Sequence, residues 1–353
     1  MKKTGPWKTL LKGFLFWLVW PLSWVFWVLV ETKNKLFDWG WLRSSSLSKP
    51  VISIGNLAMG GTGKSPLTMA LIAFFQDRGL KVGVLSRGYG RRNPKLGLRV
   101  TAETDYRDGG DEPVMMARRF PDVLIGVGPS RLKAAEALGE VPDVYLVDDG
   151  FQHRQLARDL DIVLLDVTQS EPKLFPRGNF REGWRGLRRA DVVVLTRCRS
   201  GDDRSAWQKK IGRVNSTAIV LACDFQPQAL LGLDGRPVAE LTGLKGRKVA
   251  AFAGIGNPKP FFESLERLGA ILLAAKPLAD HEPFEAPARE AWLRSVQEMG
   301  AEMIVTTEKD AVKLDNHAGF GIVIAFLSTG VAWIDETVFF NLLEQIATQK
   351  DPE

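Results

Sequence analysis

Cysteine, histidine and internal repetition are all scarce in this chain. Two cysteines, Cys198 and Cys223, occur in 353 residues. They are too few and too far apart for a disulfide framework or a zinc site, which suits a reducing compartment. Of the three histidines, His153 and His281 both fall inside polar clusters. No repeat or low-complexity segment is evident. No basic run is long enough, or interleaved with aromatics in the right way, to favour nucleic acid. The net charge of +6 and pI near 9.3 therefore point to an anionic membrane or phosphorylated substrates. Length and composition, 45% hydrophobic and 25% charged, predict about two domains of an ordinary globular protein.

The chain is organised around VISIGNLAMGGTGKSPL, residues Val51 to Leu67. Val51 to Ile54 reads as a buried strand, and an apolar helical pattern runs from Leu67 towards Phe75. The glycine-rich loop between them can wrap its N–H groups around a phosphate chain at a helix N-terminus. Ala58, Met59, Gly60, Gly61, Thr62, Gly63, Lys64 and Ser65 are the expected nucleotide-binding residues. Lys64 would reach the β- and γ-phosphates and Ser65 would hold Mg²⁺. One departure from the P-loop pattern is Ala58, which stands where the first glycine is usual; the glycines nearest the phosphates are intact.

Charge is absent from Gly13 to Val30, which carries Trp17, Trp20, Trp24 and Trp27. The run matches the lower end for a bilayer crossing and lacks the cleavage site of a signal peptide. Lysines and arginines flank it on both sides, so the positive-inside rule hardly orients it. With Pro21 near its middle, a kinked helix lying in one leaflet fits as well.

Lys81 to Leu85 is a second strand, ending in Ser86-Arg87-Gly88-Tyr89-Gly90-Arg91, at the end of a strand where α/β sheets place ligands; a solvated basic loop is the plainer alternative. Gly110-Asp111-Glu112-Pro113 opens a helix, and a helix cap explains it without chemistry. Val144 to Val147 runs into Asp148-Asp149, the arrangement that helps hold Mg²⁺ downstream of a P-loop. Gly150-Phe151-Gln152-His153-Arg154 follows at once. Ile162 to Leu165 and Val192 to Leu195 are further strands, and the basic loop between them holds Arg177, Arg181 and Glu182.

Strand–helix alternation predicts an α/β fold, P-loop NTPase-like, with a mostly parallel sheet and helices on both faces. Leu230 to Leu241 reads as a hairpin about Asp234-Gly235. A smaller C-terminal α/β unit begins at Val249 to Phe252. The expected domains are a membrane-associated N-terminal helix over 1–38, a P-loop kinase domain over 39–225, a hairpin linker over 226–247 and the smaller domain over 248–353, closing over the nucleotide.

In this order, the P-loop, Ser86 to Arg91, Gly110 to Pro113, the DDGFQHR string of Asp148 to Arg154, Asp280-His281 and Thr307-Glu308-Lys309-Asp310 resemble the tetraacyldisaccharide 4'-kinase family. The resemblance covers nearly the whole chain, and DDGFQHR is its most specific part. It implies ATP-dependent phosphorylation of the 4'-hydroxyl of tetraacyldisaccharide 1-phosphate in lipid A biosynthesis, on the cytoplasmic face of a bacterial inner membrane, with ATP, Mg²⁺ and membrane lipids as partners; a monomer is expected, though the sequence does not give the oligomeric state. It further implies Asp111 as general base assisted by His281, with Lys64 and Asp149 completing the catalytic set. Ser65, Asp148, Asp149 and Glu182 are the implied metal group, and Arg87, Tyr89, Arg177, Arg181 and His153 the implied substrate contacts.

Two rivals from other classes fit less well. A membrane-associated regulatory ATPase of the deviant P-loop type resembles K-G-G-x-G-K-[ST], but Met59 stands at its first lysine. A GTPase needs D-x-x-G and N/T-K-x-D, yet Phe151 stands three residues after Asp148, and Lys309 is one place too late.

Overall fold

A computed structural model describes residues 6–169, 173–285, 287–314, 321–334 and 337–348, with side chains from residue 20 to 346 within these. Short runs of valine, isoleucine and leucine become strands, and alternate side chains of each strand feed opposite faces. The strands are β1 (Val51–Asn56), β2 (Val82–Ser86), β3 (Leu98–Val100), β4 (Leu124–Val127), β5 (Val144–Asp148), β6 (Leu160–Asp166), β7 (Val192–Thr196), β8 (Ile219–Gly232), β9 (Pro237–Ala239), β10 (Lys248–Ala253), β11 (Ile271–Pro277), β12 (Met303–Thr307) and β13 (Val323–Trp333).

They form one sheet in the order β11-β10-β12-β13-β8-β7-β6-β1-β5-β2-β4-β3, with β9 paired to β8. Pairing is parallel except at β13/β8, β8/β9 and β3/β4. Around β1, Ile52, Ile54, Leu146, Ile162 and Leu164 pack with Leu67, Leu71 and Phe75 of the helix Lys64–Gln76 on one face. Val163, Leu165, Val193 and Leu195 pack with Ile211 of the helix Ser205–Gly212 on the other. The far half repeats this with Leu265 under one face and Leu293 and Val296 under the opposite one. Helices on both faces are what a parallel sheet requires.

The expected hairpin about Asp234-Gly235 is present as β8/β9, with Leu230 opposite Ala239. The larger role of this segment is different. β8 runs 14 residues, parallel to β7 at its start and antiparallel to β13 beyond, so the sheet crosses unbroken between its halves.

A helix spans Pro6–Asp38 and contains Pro21. Its described side chains rest on the loops after β5 and β6. Ser23 Oγ accepts the Arg177 N–H at 3.2 Å, and Phe26 meets Phe175 edge-on at 5.6 Å. Asn34 donates to Glu182 at 3.4 Å, and Asp38 pairs with Arg154 at 2.7 Å. Trp20, Trp24, Val25 and Leu29 remain exposed. Among the described residues no helix is long and apolar enough to cross a membrane; residues 13–19 of the expected membrane segment lie outside the described side chains.

Candidate active site

Parallel pairing places the C-terminal ends of β1, β5 and β2 side by side, with Ile54 opposite Asp148 and Leu85 opposite Val147. The P-loop, the Asp148-Asp149 pair and the Ser86–Arg91 loop therefore share one edge, the edge at which open α/β sheets bind ligands.

Local contacts shape the P-loop. Asn56 donates to Thr62 Oγ1 at 2.7 Å, and the Thr196 hydroxyl donates to the Thr62 carbonyl at 3.1 Å. Arg197 donates to the Gly61 carbonyl at 3.0 Å and pairs with Asp166. On the outer flank Met59 N–H donates to the Asn179 carbonyl at 2.6 Å. Gly63, at φ 94°, precedes the helix, and a Cβ there would lie 1.9 Å from the Phe225 ring. We expect Gly63→Ala to weaken nucleotide binding by roughly 100-fold, since left-handed backbone and overpacking each cost about 1–3 kcal/mol. Calorimetric titration with nucleotide checks this. Adding Phe225→Ala should recover only part of the loss, because the backbone strain remains.

Lys64 Nζ lies 3.4 Å from Asp149, whose carboxylate also takes both its oxygens to Arg181, at 2.8 and 2.7 Å. Burial would raise Asp149, but Lys64 and Arg181 outweigh it and hold it below the usual carboxylate value. Asp149 has φ 50°, and the buried Arg131 braces this turn, donating to the Asp148 and Asp149 carbonyls at 2.7 and 3.2 Å. Asp148 is in the opposite situation. One of its oxygens is buried without a partner and the other receives only Ser86 Oγ at 3.4 Å. Burial, with the Glu112 and Asp149 charges, pushes it up to about 7.

Ser65 donates to Glu112 at 3.2 Å, which joins the P-loop to the start of the helix Asp111–Arg119. Asp111 does not cap that helix: Gly110 is at the cap position, and Asp111, buried, accepts His281 Nδ1 at 2.9 Å. Lys313 Nζ, also buried, lies 3.6 Å away, and Lys309 Nζ 4.0 Å. Burial would raise Asp111; the His281 hydrogen bond and the two ammonium groups outweigh it and leave it below the usual value. His281 has φ 63°, a conformation rare for a side-chain-bearing residue, and the exposed Tyr89 ring is 5.0 Å from its imidazole.

The expected residues thus divide. Ala58 to Ser65, Asp111, Asp148, Asp149, Tyr89 and His281 gather at one edge, with Arg87 exposed on the neighbouring loop. Arg181 binds Asp149, and Arg177 lies on the loop that meets the N-terminal helix. Two expected residues have other contacts in the structure. Glu182 does not stand free for a metal: it is buried and held by Arg189 at 2.9 Å, Gln152 at 2.8 Å and Asn34. Among the described residues no three acidic, histidine or cysteine side chains form a metal cage. His153, expected as a substrate contact, is half-buried and neutral at pH 7, because burial and the nearby Arg131, Arg87, Lys33 and Arg158 push it down to about 4, and its Nε2 accepts the Arg131 N–H. Lys309, Lys313, Arg131 and Arg197 received no role from sequence; only Lys309 stood in a noted motif.

A family model described as Tetraacyldisaccharide-1-P 4'-kinase matches residues 15–348. A tetraacyldisaccharide 4'-kinase of Anaeromyxobacter sp. strain K is 40% identical over 295 residues, which is 80% of this chain and 77% of that one. Another, from Syntrophus aciditrophicus strain SB, is 37% identical over 320 residues, 85% and 84% of the two chains. A crystal structure of "apo" form LpxK from Aquifex aeolicus in complex with ATP superposes with a TM-score of 0.77 at 31% identity, covering 94% of this chain and 99% of that one.

Proposed function

The chain belongs to the tetraacyldisaccharide 4'-kinase family, and from that premise we propose how its own residues carry the reaction. It uses ATP to phosphorylate the 4'-hydroxyl of tetraacyldisaccharide 1-phosphate in lipid A biosynthesis. The observation that carries the residue assignment is the Asp111–His281 pair at 2.9 Å, tied to the P-loop through Glu112 and Ser65.

Phosphoryl transfer needs positioning, charge neutralisation and a group to take the acceptor's proton. The Gly60 to Gly63 backbone cradles the triphosphate, and Lys64 leaves Asp149 to reach its terminal oxygens. Arg181 then keeps Asp149 neutralised. Asp111, ionised at neutral pH, accepts the 4'-hydroxyl proton while His281 holds its carboxylate in place. Ser65 and Asp148 fit a magnesium ion: the unpartnered oxygen of Asp148 and its raised affinity for a proton mark a buried carboxylate whose desolvation and acidic neighbours outweigh the nearby Lys64 and Arg131 charges. Such an ion, bound, neutralises charge on the phosphates; two protein oxygens suffice because Mg²⁺ takes most of its ligands from water and phosphate.

The exposed Trp20, Trp24, Val25 and Leu29 suit a helix lying in the lipid headgroup region, on the cytoplasmic side of the inner membrane where ATP is available. The protein acts as a monomer, with the segment from β10 onward holding His281 on Asp111 and closing over bound nucleotide. The test is to incubate the purified protein in detergent with radiolabelled ATP, Mg²⁺ and the disaccharide 1-phosphate lipid. A bis-phosphorylated lipid product is expected; ATP hydrolysis with no labelled lipid would sink the reading.

A further inference from the structure

Lys309 meets the catalytic pair on its far side. Its Nζ lies 3.2 Å from His281 Nε2 and 3.0 Å from Asp280 Oδ1, with Asp111 Oδ2 and Glu112 Oε1 each at 4.0 Å. Across the ring, His281 Nδ1 is 2.9 Å from Asp111 Oδ2. The Tyr89 ring lies tilted at 51° beside the imidazole, Asp280 Oδ1 stands 3.9 Å from Nε2, and Lys313 Nζ is 3.6 Å from Asp111.

An ammonium has only donors and an ionised carboxylate only acceptors. Set between them, an imidazole satisfies both in one way: Nδ1–H donates to Asp111, and the Nε2 lone pair accepts from Lys309. The other tautomer would put N–H against N–H on one side and a lone pair against a carboxylate on the other. A doubly protonated ring would still face the ammonium with Nε2–H.

We infer that Lys309 is a positioning residue that acts on Asp111 through His281, reserving Nε2 so that the single imidazole proton points at the base. This rests on the reading of Asp111 as base and extends it. His281 is barred from taking the substrate proton through Nε2. The 4'-hydroxyl proton passes to the Asp111 carboxylate as the new O–P bond forms and the bond to the departing ADP oxygen breaks. Without Lys309, the nearby acceptor for Nε2–H is Asp280.

The test is nitrogen NMR of the full chain labelled with ¹⁵N-histidine; three histidines make the signals assignable by single replacement. In the wild type, His281 should show a protonated Nδ1 and an unprotonated Nε2. In Lys309→Met, Nε2 should gain a proton, and kcat should fall roughly 10-fold or more with little change in KM for ATP. Lys309→Arg, which keeps the donors, should restore the wild-type nitrogen pattern and most of the rate. Unchanged His153 signals report an intact fold. The inference is overturned if wild-type His281 carries its proton on Nε2, if Lys309→Met leaves the pattern unchanged, or if only KM for ATP rises, which would make Lys309 a phosphate contact. The spectrum is read without substrate, so the inference can fail while Asp111→Asn still abolishes turnover.

Discussion

Asp111→Asn should lower kcat by about 10²–10⁴-fold, the range for a lost general base, with ATP affinity nearly unchanged. The amide has the size of the carboxylate, and its one oxygen can still accept the His281 Nδ1–H that reaches Asp111 Oδ2 at 2.9 Å, although the NH₂ then replaces the oxygen that accepts the Glu112 N–H at 3.0 Å. It cannot take a proton. It also leaves the buried Lys313 ammonium with Asp310, at 3.0 Å, as its remaining carboxylate partner, so stability should fall too, by at most about 3–5 kcal/mol. The sign with pH follows from the direction of the Asp111 shift. Its native value lies below the ordinary one, so its contribution is present above the unfolded carboxylate range. It is lost as pH falls through the native value, and the stability gap between variant and wild type should close below about pH 4. Single-turnover rates, ATP binding and urea unfolding at pH 7 and in acid check these outcomes. A kcat within about threefold of wild type would remove Asp111 from the role of base.

Asp148→Asn should abolish most activity and yet stabilise the protein when no divalent cation is present. Burial and its acidic neighbours push Asp148 up to about 7, so the native state binds this proton more tightly than the unfolded chain does. Stability therefore declines as pH rises from the unfolded carboxylate value, about 4, to about 7, and the loss is complete above that. The asparagine variant lacks this penalty. Its melting temperature should match that of the wild type near pH 4 and exceed it by roughly 2–6 °C at pH 8. Adding Mg²⁺ should narrow the difference at pH 8 by adding positive charge beside a wild-type carboxylate that Lys64 and Arg131 do not fully compensate. Thermal melts across this pH range, with and without MgCl₂, decide the matter. A constant offset at every pH would refute the account of Asp148 as an incompletely compensated buried carboxylate.

Function at the expense of stability is a known bargain at active sites, and Asp148 shows its physical form. Ser86 donates to one oxygen of this carboxylate and Arg131 to the backbone carbonyl of the same residue, which leaves the other carboxylate oxygen unpartnered. Asp149, one residue away, is fully neutralised by Lys64 and Arg181. Adjacent residues of the same type thus differ in electrostatic state because a left-handed turn at Asp149 sends the two side chains to different surroundings.

Strands whose neighbours are all apolar were legible. β1, β5, β6, β7 and β10 extend the expected segments by a few residues at most. Missed were β3, β4 and β13. Leu124–Val127 is apolar enough to have been seen, whereas Val323–Trp333 contains Ser328, Thr329 and Gly330, which break the apolar pattern of a buried strand. β13 holds its place by pairing with β8, and that pairing is non-local.

What the residues alone determined is the chemistry and its location along the chain. A glycine-rich loop between an apolar strand and a helix can hold phosphate wherever it occurs, and carboxylates can be recognised at the end of a buried strand, because strand period and helix dipole are local properties. Tertiary structure decided the partnerships. Asp111 meets His281 across 170 positions, Glu182 falls to Arg189 instead of a metal, His153 is kept neutral, and Lys309 reaches Nε2. Such pairings depend on which loops the sheet order brings together and on how deeply each charge is buried, and neither is written in the spacing of residues along the chain.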